Sequence, residues 1–498
     1  MSFKTQSLFV KQIENEIEDN KLSLEDILSK VNLSIILNQK LPKLTNFLIL
    51  HVRDIIEYSF VKDTDELIKS NSYSILSDFQ PVRNLISKDP NLINLLFNNF
   101  LNGTENMIPL INLLRRIIEV SNALALHKVD QSSLFFQNLL NNMNKIYIRE
   151  FLDFLFSYPN LAPFRKWFYD LKAEDLLYQK INKDESGIVQ EKVLTLLSKY
   201  VLMVDKDSIV LQKLASKEKI SYILQLGLNS TKISLSCEAF KYIFLLYQSI
   251  SESEKLKTNF LDIQSLLIDN CENLCIYVQH DHKFFNDKRY SIELIILALS
   301  FKKKVSKFII NFLNFLLNLF TRLKTNTFLH TSFLKLFKVL SSYNIEFINF
   351  VNSSKIMNLI PSLIDQKEVL CSSYWGHIYE MTIILGKLLK ENQDELECYD
   401  EWKSYCESTF KVQCEIIKRS YGGSPPMNES SDYSDDSSSS DSSFYKSHFV
   451  DSCDLLSRVF DKHSSSSSSD SSEESEEEEV DSNSTSSTSD SNAEDESD

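Results

Sequence analysis

Glycine is scarce in this chain of 498 residues. It has 7 glycines, whereas average usage of roughly 7% would give about 35. Those seven cannot be arranged into the dinucleotide-binding pattern G-x-G-x-x-G, the phosphate-binding loop G-x-x-x-x-G-K-[ST] or the nucleophile elbow G-x-S-x-G. With only 9 prolines as well, the chain has too few turn-forming residues for a β-sandwich or a β-barrel. The sequence therefore predicts an all-α protein.

Cysteines and long apolar runs are also limited. Eight cysteines in nearly 500 residues do not make the dense framework of a disulfide-rich secreted protein. The longest apolar run, residues 308–320, contains three asparagines and falls short of the ~20 residues needed to cross a bilayer. The opening sequence MSFKTQSLFV lacks the basic and apolar regions of a signal peptide. We expect a soluble, reduced, cytoplasmic protein without membrane contact, and a nuclear location is also open.

Negative charge is concentrated at the carboxyl end. The formal net charge is −16, and residues 421–498 contribute 21 Asp and Glu against three basic residues. The first 420 residues are therefore close to neutral. A protein that binds nucleic acid through bulk positive charge would need a basic body, so we expect no nucleic-acid partner.

Apolar residues recur at helical spacing from about residue 20 to residue 420. Short stretches rich in helix-breaking or capping residues separate the apolar segments, as at 88–90, 102–104, 158–160 and 229–231. Such spacing is typical of antiparallel helix pairs. The segments that we predict to be helical include 91–102, 107–127, 132–143, 148–156, 233–250 and 375–389.

Many of these predicted helices are apolar over more than one face. In NFLNFLLNLF (311–320), Leu and Phe occupy well over half of the helical wheel, as expected of a helix packed between two neighbours. About 400 residues of such helix pairs, at ~40 residues per repeat, predict an irregular α-solenoid of HEAT or armadillo-like helical repeats, with roughly nine or ten repeats. The sequence has no strict period, so a compact helical globule is the alternative.

Composition divides the chain into three parts. These are an N-terminal extension at 1–20, a helical domain at 21–420 and an acidic, Ser-rich C-terminal tail at 421–498. Dense like charge and few apolar residues predict that the tail is disordered. Its segment 444–460 contains enough apolar residues for a short amphipathic helix, and a fluctuating segment is the other interpretation.

Serines in the tail precede acidic residues, a pattern that suits acidophilic kinases. Each phosphate would add roughly −1.5 to −2 charge. Such a tail binds a basic partner, shields a basic groove or keeps an apolar helical domain in solution, and the sequence does not decide among these. The candidate phosphorylation sites are Ser431, Ser434, Ser437, Ser472 and Ser475.

One group of residues has the chemistry of a metal site. Cys271 and Cys275 are followed by His280 and His282. The gap between the two pairs is shorter than is usual in structural zinc sites, and both cysteines fall in a helical pattern, where a buried thiol is an ordinary core residue. We therefore expect no metal and no cofactor, and keep a zinc site or a cryptic hydrolase only as a third hypothesis.

The remaining candidates for chemistry are weaker. The basic run Lys302–Lys304, with Lys307 after it, either contacts phosphate or an acidic partner, or is a solvated face at a helix start; the second is more typical of such runs. The eight histidines are dispersed, and no Ser or Cys lies in a recognisable nucleophile context. We expect a protein that is not an enzyme.

Five segments, taken in order, resemble a known family. They are SLEDILSKVNLSIILNQKLPKLTNFL (23–48), RKWFYDLKAEDLLYQKI (165–181), LFTRLKTNTFLHTSFLKLF (319–337), YWGHIYEMTIILGKLL (374–389) and EWKSYCESTF (401–410). Their order and spacing are similar to those of the SAPS-domain family, the regulatory subunits of the type-6 (type-2A-like) Ser/Thr protein phosphatase. The residues at family-like positions are Leu24, Leu28, Phe47, Leu48, Trp167, Asn326, Phe328, Leu329, His330, Gly376, His377 and Trp402.

This chain would be a divergent member of that family. Phe168 stands where the family usually has Leu, Thr327 replaces an Asn, and Glu380 replaces an Arg. The resemblance implies a non-catalytic regulatory or scaffold subunit that binds the phosphatase catalytic subunit and directs its substrate choice, with further scaffold subunits as additional partners. An interpretation without partners is that the aromatic and histidine residues at these positions, with Trp375, pack in a helical core.

A different class of function is the alternative to phosphatase regulation. An armadillo-type transport or adaptor protein would bind basic cargo through the acidic tail. Deletion of residues 421–498 separates the two hypotheses, because the adaptor needs the tail and the phosphatase regulator does not.

Overall fold

The computed structural model describes residues 14–17, 19, 21–39, 41–103, 106–157, 162–183, 186–205, 208–251, 253–280, 286–365, 374–389, 396 and 399–413. Across these ranges the backbone forms helices, turns and bends but no strand, which confirms the all-α class. None of the described helices is both long enough and apolar enough to cross a membrane. Two compact units divide the chain, Met1–Cys398 and Tyr399–Asp498.

Several predictions fall on other parts of the chain. The boundary at 420–421, the candidate tail serines and the 444–460 segment lie outside the described residues, as does most of the predicted extension at 1–20.

The first unit is a succession of short and medium helices. Its amino-terminal half contains α1 (Leu24–Leu28), α2 (Leu33–Leu37), α3 (Pro42–Leu50), α4 (Val52–Phe60), α5 (Glu66–Asp78), α6 (Gln80–Lys88), α7 (Pro90–Asn102), α8 (Met107–Val120), α9 (Ser132–Asn141), α10 (Ile146–Leu155), α11 (Ala162–Asp170) and α12 (Ala173–Lys183). Then follow α13 (Gly187–Met203), α14 (Ile209–Leu214), α15 (Lys217–Asn229), α16 (Ile233–Ser251), α17 (Lys257–Asp269), α18 (Cys271–Gln279), α19 (Asn286–Phe301), α20 (Lys307–Arg322), α21 (Thr327–Leu340), α22 (Asn344–Ser354), α23 (Ile356–Asp365) and α24 (Trp375–Leu389). The second unit contains α25 (Tyr399–Tyr405) and a π-helical turn at Cys406–Phe410.

Local signals set several helix ends, including the two that the sequence predicts at 88–90 and 102–104. Ser23 and Asp26 form a reciprocal capping box at the start of α1. Asp89 caps α7, and Pro90 occupies its first position, where a missing N–H is tolerated. Gly103 ends the same helix with a left-handed φ of 77°, a conformation that glycine adopts without steric cost.

The prediction of one helix over 107–127 is wrong in its last third. The α-helix ends at Val120, and a 3-10 helix follows at Leu124–Lys128. Between them Asn122 and Ala123 have φ values of 48° and 66°, a left-handed conformation that a continuous helix excludes. The apolar pattern continues across this break, which is why periodicity alone did not reveal it.

One set of helices packs side by side through the first unit. We call α1, α5, α8, α10, α13, α16, α19, α21 and α24 the A row, because each packs on the next. These helices begin at residues 24, 66, 107, 146, 187, 233, 286, 327 and 375, so successive starts are 39 to 53 residues apart. The intervening helices form contacts of their own, among them α4 with α7, α7 with α9, α9 with α12, α15 with α18, α18 with α20 and α20 with α22.

Every junction of the A row carries a polar or aromatic link between side chains or from a side chain to a carbonyl. The hydrogen bonds are Asn71 Nδ2 to the Leu28 carbonyl (2.7 Å), Arg116 Nη1 to the Ser77 carbonyl (2.8 Å), Lys199 Nζ to Asp153 Oδ1 (2.8 Å), Ser234 Oγ to Glu191 Oε2 (2.5 Å), Lys335 Nζ to Glu293 Oε1 (2.6 Å) and Lys338 Nζ to Glu380 Oε2 (2.5 Å). At the other two junctions, Arg115 lies 4.7 Å from the centre of the Phe154 ring and the rings of Phe244 and Tyr290 lie 6.0 Å apart. At two junctions a contact joins residues near the starts of both helices, Ser234 with Glu191 and Thr331 with His377. Helices α13 and α16 therefore run parallel, as do α21 and α24.

Candidate functional site

At the start of α21, some family-like residues lie in the core and others lie at the surface. The Asn326 side chain accepts a hydrogen bond from the Leu329 N–H at 3.0 Å, which caps the helix. Leu329 and His330 are then fully buried, whereas Phe328 is 53% exposed. The core interpretation therefore holds for His330 but not for Phe328.

The start of α24 shows the same division. Tyr374, just before the helix, is fully buried, and His377 is half-buried. Gly376 is exposed, and a Cβ added there would meet nothing within 4 Å. Packing among the described residues thus does not require a glycine here.

Helices α21 and α24 bring these two segments together. The His330 ring lies 5.3 Å from the Tyr374 ring and 5.8 Å from the His377 ring, measured between centroids. Phe320 of α20 closes the group, 4.6 Å from His330. On the outer side Thr331 Oγ1 lies 3.2 Å from His377 Nε2. We call these five residues the α21–α24 junction.

Both histidines of the junction resist protonation. The pKa of His330 is lowered to about 4, chiefly by burial and also by neighbouring His377, while backbone hydrogen bonds oppose the change. Burial also lowers the pKa of His377, with Lys338 acting in the same direction and Glu380 against it. Neutral imidazoles at pH 7 pack as aromatic rings. Nε2 of His330 lies 3.3 Å from the Phe320 carbonyl, so this nitrogen carries the proton and donates it.

The outward side of this region is partly exposed and polar. Phe328 lies 5.0 Å from the Arg289 guanidinium of α19, within the range of a cation–π contact. Lys338 and Glu380 form an ion pair across α21 and α24. We call Arg289, Phe328, Thr331, Gly376 and the Lys338–Glu380 pair the junction surface. Exposed aromatic and arginine side chains are the residue types that dominate protein interfaces.

A second exposed feature repeats along the A row. Four successive helices, α8, α10, α13 and α16, have an isoleucine as their first or second residue. These side chains, Ile108, Ile146, Ile188 and Ile233, are 55%, 63%, 56% and 49% exposed. We call them the isoleucine edge. Sequence analysis missed it, because each isoleucine also fits the apolar helical pattern; the signal is their common position at the helix starts.

One contact places two of these isoleucines at neighbouring helix starts. Glu191, near the start of α13, accepts a hydrogen bond from Ser234, near the start of α16. Ile188 and Ile233, which belong to these two helix starts, therefore lie on the same side of the row.

The other family-like residues lie elsewhere in the fold. In α1 and α3, Leu24, Leu28 and Leu48 are buried, and Phe47 is half-buried with its ring 4.5 Å from that of His51. They pack among the first helices and do not join the junction.

The two remaining tryptophans are also core residues. Trp167 of α11 is buried beside Phe136 and Phe168, at centroid distances of 5.8 and 5.1 Å. Trp402, which belongs to the second unit, is buried, and its ring lies 5.3 Å from that of Tyr405. Neither indole N–H finds a hydrogen-bond partner among the described residues.

The candidate metal ligands do not form a site in the part of the chain that the structure describes. Cys271 and Cys275 are fully buried on α18, His280 follows that helix, and His282 lies outside the described residues. No group of three or more metal-ligating side chains occurs among the described residues. The basic run lies in the link before α20, and Lys307 begins that helix.

No protein-family model and no curated protein sequence matches this chain. The resemblance to the SAPS-domain family therefore rests on the five sequence segments alone. The geometry adds one relationship to it: two of those segments, 326–330 and 374–377, lie against each other at the α21–α24 junction.

Proposed function

We propose that this chain is a non-catalytic regulatory subunit that binds a type-2A-like (type-6) Ser/Thr protein phosphatase catalytic subunit and directs its substrate choice. The observation that carries the proposal is the meeting of two family-like segments at a partly exposed surface. Their buried members, His330 and Tyr374, hold the surface in place. Their exposed members, Phe328 and Gly376, are free to contact a partner.

The proposed architecture is an irregular α-solenoid of the HEAT or armadillo kind. It is supported by the 39-to-53-residue spacing of the A-row helices and by their packing from neighbour to neighbour. Stacked repeats of this kind create extended surfaces. Such a surface buries the ~1,200 Å² or more of a stable protein interface without needing a pocket. In this proposal the chemistry of dephosphorylation belongs to the partner.

The proposal gives different roles to two exposed features, the junction surface and the isoleucine edge. The junction surface supplies an aromatic anchor, Phe328, next to a cation, Arg289, and both are suited to an interface centre. The isoleucine edge supplies further exposed apolar side chains along the same row. Because the anchor lies on family-like positions, we assign the catalytic subunit to the junction surface.

The experiment is affinity capture of the full-length chain and of residues 1–420 from cells, read by mass spectrometry. We expect both baits to recover a type-2A-like catalytic subunit, because the described helices carry the proposed surface. Phe328→Ala should reduce recovery at least tenfold. Leu261→Ala is the matched control, because Leu261 is also about half exposed (52%) but lies on α17. Clean capture without any phosphatase catalytic subunit would refute the proposal.

The uneven charge of the chain favours a second candidate. An armadillo-type transport or adaptor protein would bind basic cargo through residues 421–498, where most of the negative charge lies. In that case, removing the tail abolishes binding, and binding by the full chain falls steeply with salt. Retention of the partner by residues 1–420 contradicts the adaptor.

A further inference from the structure

The link between α19 and α20 presents a serine after a basic run. Residues 302–306 are not helical. Lys303 and Lys304 are exposed, Val305 is buried and Ser306 is half-buried immediately before α20. Two lysines therefore stand three and two positions ahead of a reachable hydroxyl. Basophilic protein kinases select serines in this arrangement, because acidic groups in their substrate cleft pair with the two cations.

The Ser306 hydroxyl has a defined role in the unmodified chain. Its Oγ donates a hydrogen bond to Glu272 Oε1 of α18 at 2.9 Å, and α18 packs on α20. The side chain does not cap its own helix. The hydroxyl thus ties two neighbouring helices together through its single proton.

The surroundings of Ser306 suit a phosphate. Lys303, Lys304 and Lys307 are exposed nearby in the sequence, and the first turn of α20 contains no acidic residue. The first N–H groups of a helix lack intrahelical partners and attract negative charge. Glu272 is the acidic side chain that contacts Ser306.

We propose that Ser306 is a phosphorylation site for a basophilic Ser/Thr kinase, and that its phosphate breaks the link between α18 and α20. Oγ attacks the γ-phosphorus of ATP, an O–P bond forms, and the bond to the bridging oxygen breaks to release ADP. The hydroxyl proton passes to the kinase's catalytic carboxylate. Phosphoserine then has no proton to give Glu272 and repels its carboxylate, while the lysines and the start of α20 stabilise the new charge.

The first test is phosphorylation of the purified full-length chain by a cyclic-AMP-dependent protein kinase catalytic subunit with ATP. Peptide mass spectrometry follows each site. We expect Ser306 to be modified, and the double variant Lys303→Ala/Lys304→Ala to slow this at least tenfold. Ser208, the N-cap of α14 with acidic residues one and three positions before it, is the internal control. An unmodified Ser306, or an equal rate in the double variant, overturns the proposal.

The second test addresses the helix link. The melting temperature is measured before and after phosphorylation in the natural chain and in Glu272→Gln. We expect phosphorylation to lower the melting temperature less, or to raise it more, in Glu272→Gln than in the natural chain, because the repulsion between the phosphate and the carboxylate is absent there. Such a difference between two shifts isolates the pairwise interaction. Equal shifts in the two proteins would show that Glu272 does not sense the phosphate.

Discussion

The Thr331 hydroxyl lies 3.2 Å from Nε2 of His377, although 46 residues separate them in the sequence. This contact spans two A-row helices at the level where both begin. The same two helix starts carry the buried His330 and Tyr374 and the exposed Phe328 and Gly376. The buried residues of this group hold the two helices together, and the exposed ones form a surface. The two roles can therefore be separated by substitution.

Phe328 and Leu329 are adjacent residues with opposite expected effects. Leu329→Ala should lower the free energy of unfolding by about 2–5 kcal/mol, because it leaves a cavity in the core. Phe328→Ala should change it by less than about 1 kcal/mol, because the ring is half exposed. Urea unfolding followed by circular dichroism measures both. In the capture experiment, folded Phe328→Ala should lose more of the partner than folded Leu329→Ala. A large loss of stability in Phe328→Ala would contradict the surface position of Phe328.

Two helical glycines make a second matched pair. In Gly227→Ala the new Cβ would lie 2.9 Å from Phe240 Cε1 and 3.1 Å from Ala239 Cβ. We expect a destabilisation of about 1–3 kcal/mol from this overpacking. Gly376→Ala meets open space and should be neutral or stabilising by up to about 1 kcal/mol.

Gly376→Ala also tests the junction surface. If a partner backbone approaches this glycine closely, the variant should fold normally yet lose binding in the capture experiment. Unchanged capture together with unchanged stability would place Gly376 outside the interface. Thermal unfolding of both glycine variants supplies the stability comparison.

Protonation of the junction should weaken the fold in mild acid. The unfolded chain takes up a proton on His330 near pH 6.5, whereas burial holds the folded pKa at about 4. The unfolded state therefore binds more protons between these values, and stability falls as the pH drops. We expect protonation of His330 to lower the free energy of unfolding by about 2 kcal/mol between pH 7 and pH 5.

Urea unfolding at the two pH values measures this loss. His330→Phe should remove that contribution. Tyr374→Phe, in the same cluster but without a group that titrates in this range, should retain it. The same pH response in His330→Phe as in the natural chain would show that His330 is not its source.

Trp167 should matter for its volume and not for its N–H. Trp167→Ala should cost about 3–5 kcal/mol, as large-to-small changes in a packed core do. Trp167→Phe should cost clearly less, because the indole N–H has no hydrogen-bond partner among the described residues and a ring still packs on Phe136 and Phe168. Equal losses in the two variants, again by urea unfolding, would indicate a partner for the N–H.

Helix positions could be predicted from the sequence because their signals are local. The predicted segment 375–389 is helical over its whole length. Asp89 and Pro90 begin α7, and Gly103 ends it, at the positions that the sequence indicates. The break at Asn122 and Ala123 was not predictable in this way. Its left-handed backbone lies at an asparagine and an alanine, without the glycine or proline that marks the ends of α7.

The A row and the junction are tertiary features. Successive A-row helices begin 39 to 53 residues apart, and this variation hides the spacing in the sequence. Resemblance singled out His330 and His377 separately, but their contact depends on two helices packing side by side. Exposure of Ile146 or Ile188 likewise depends on which neighbours the fold supplies.

The neighbour-to-neighbour packing of the A row has a consequence for how damage spreads. In the proposed solenoid, each repeat packs chiefly on the repeats beside it. A destabilising substitution should then weaken the adjacent repeats most and distant repeats least. Unfolding would be graded rather than all-or-none, and the surface at one end would persist after the other end has unfolded.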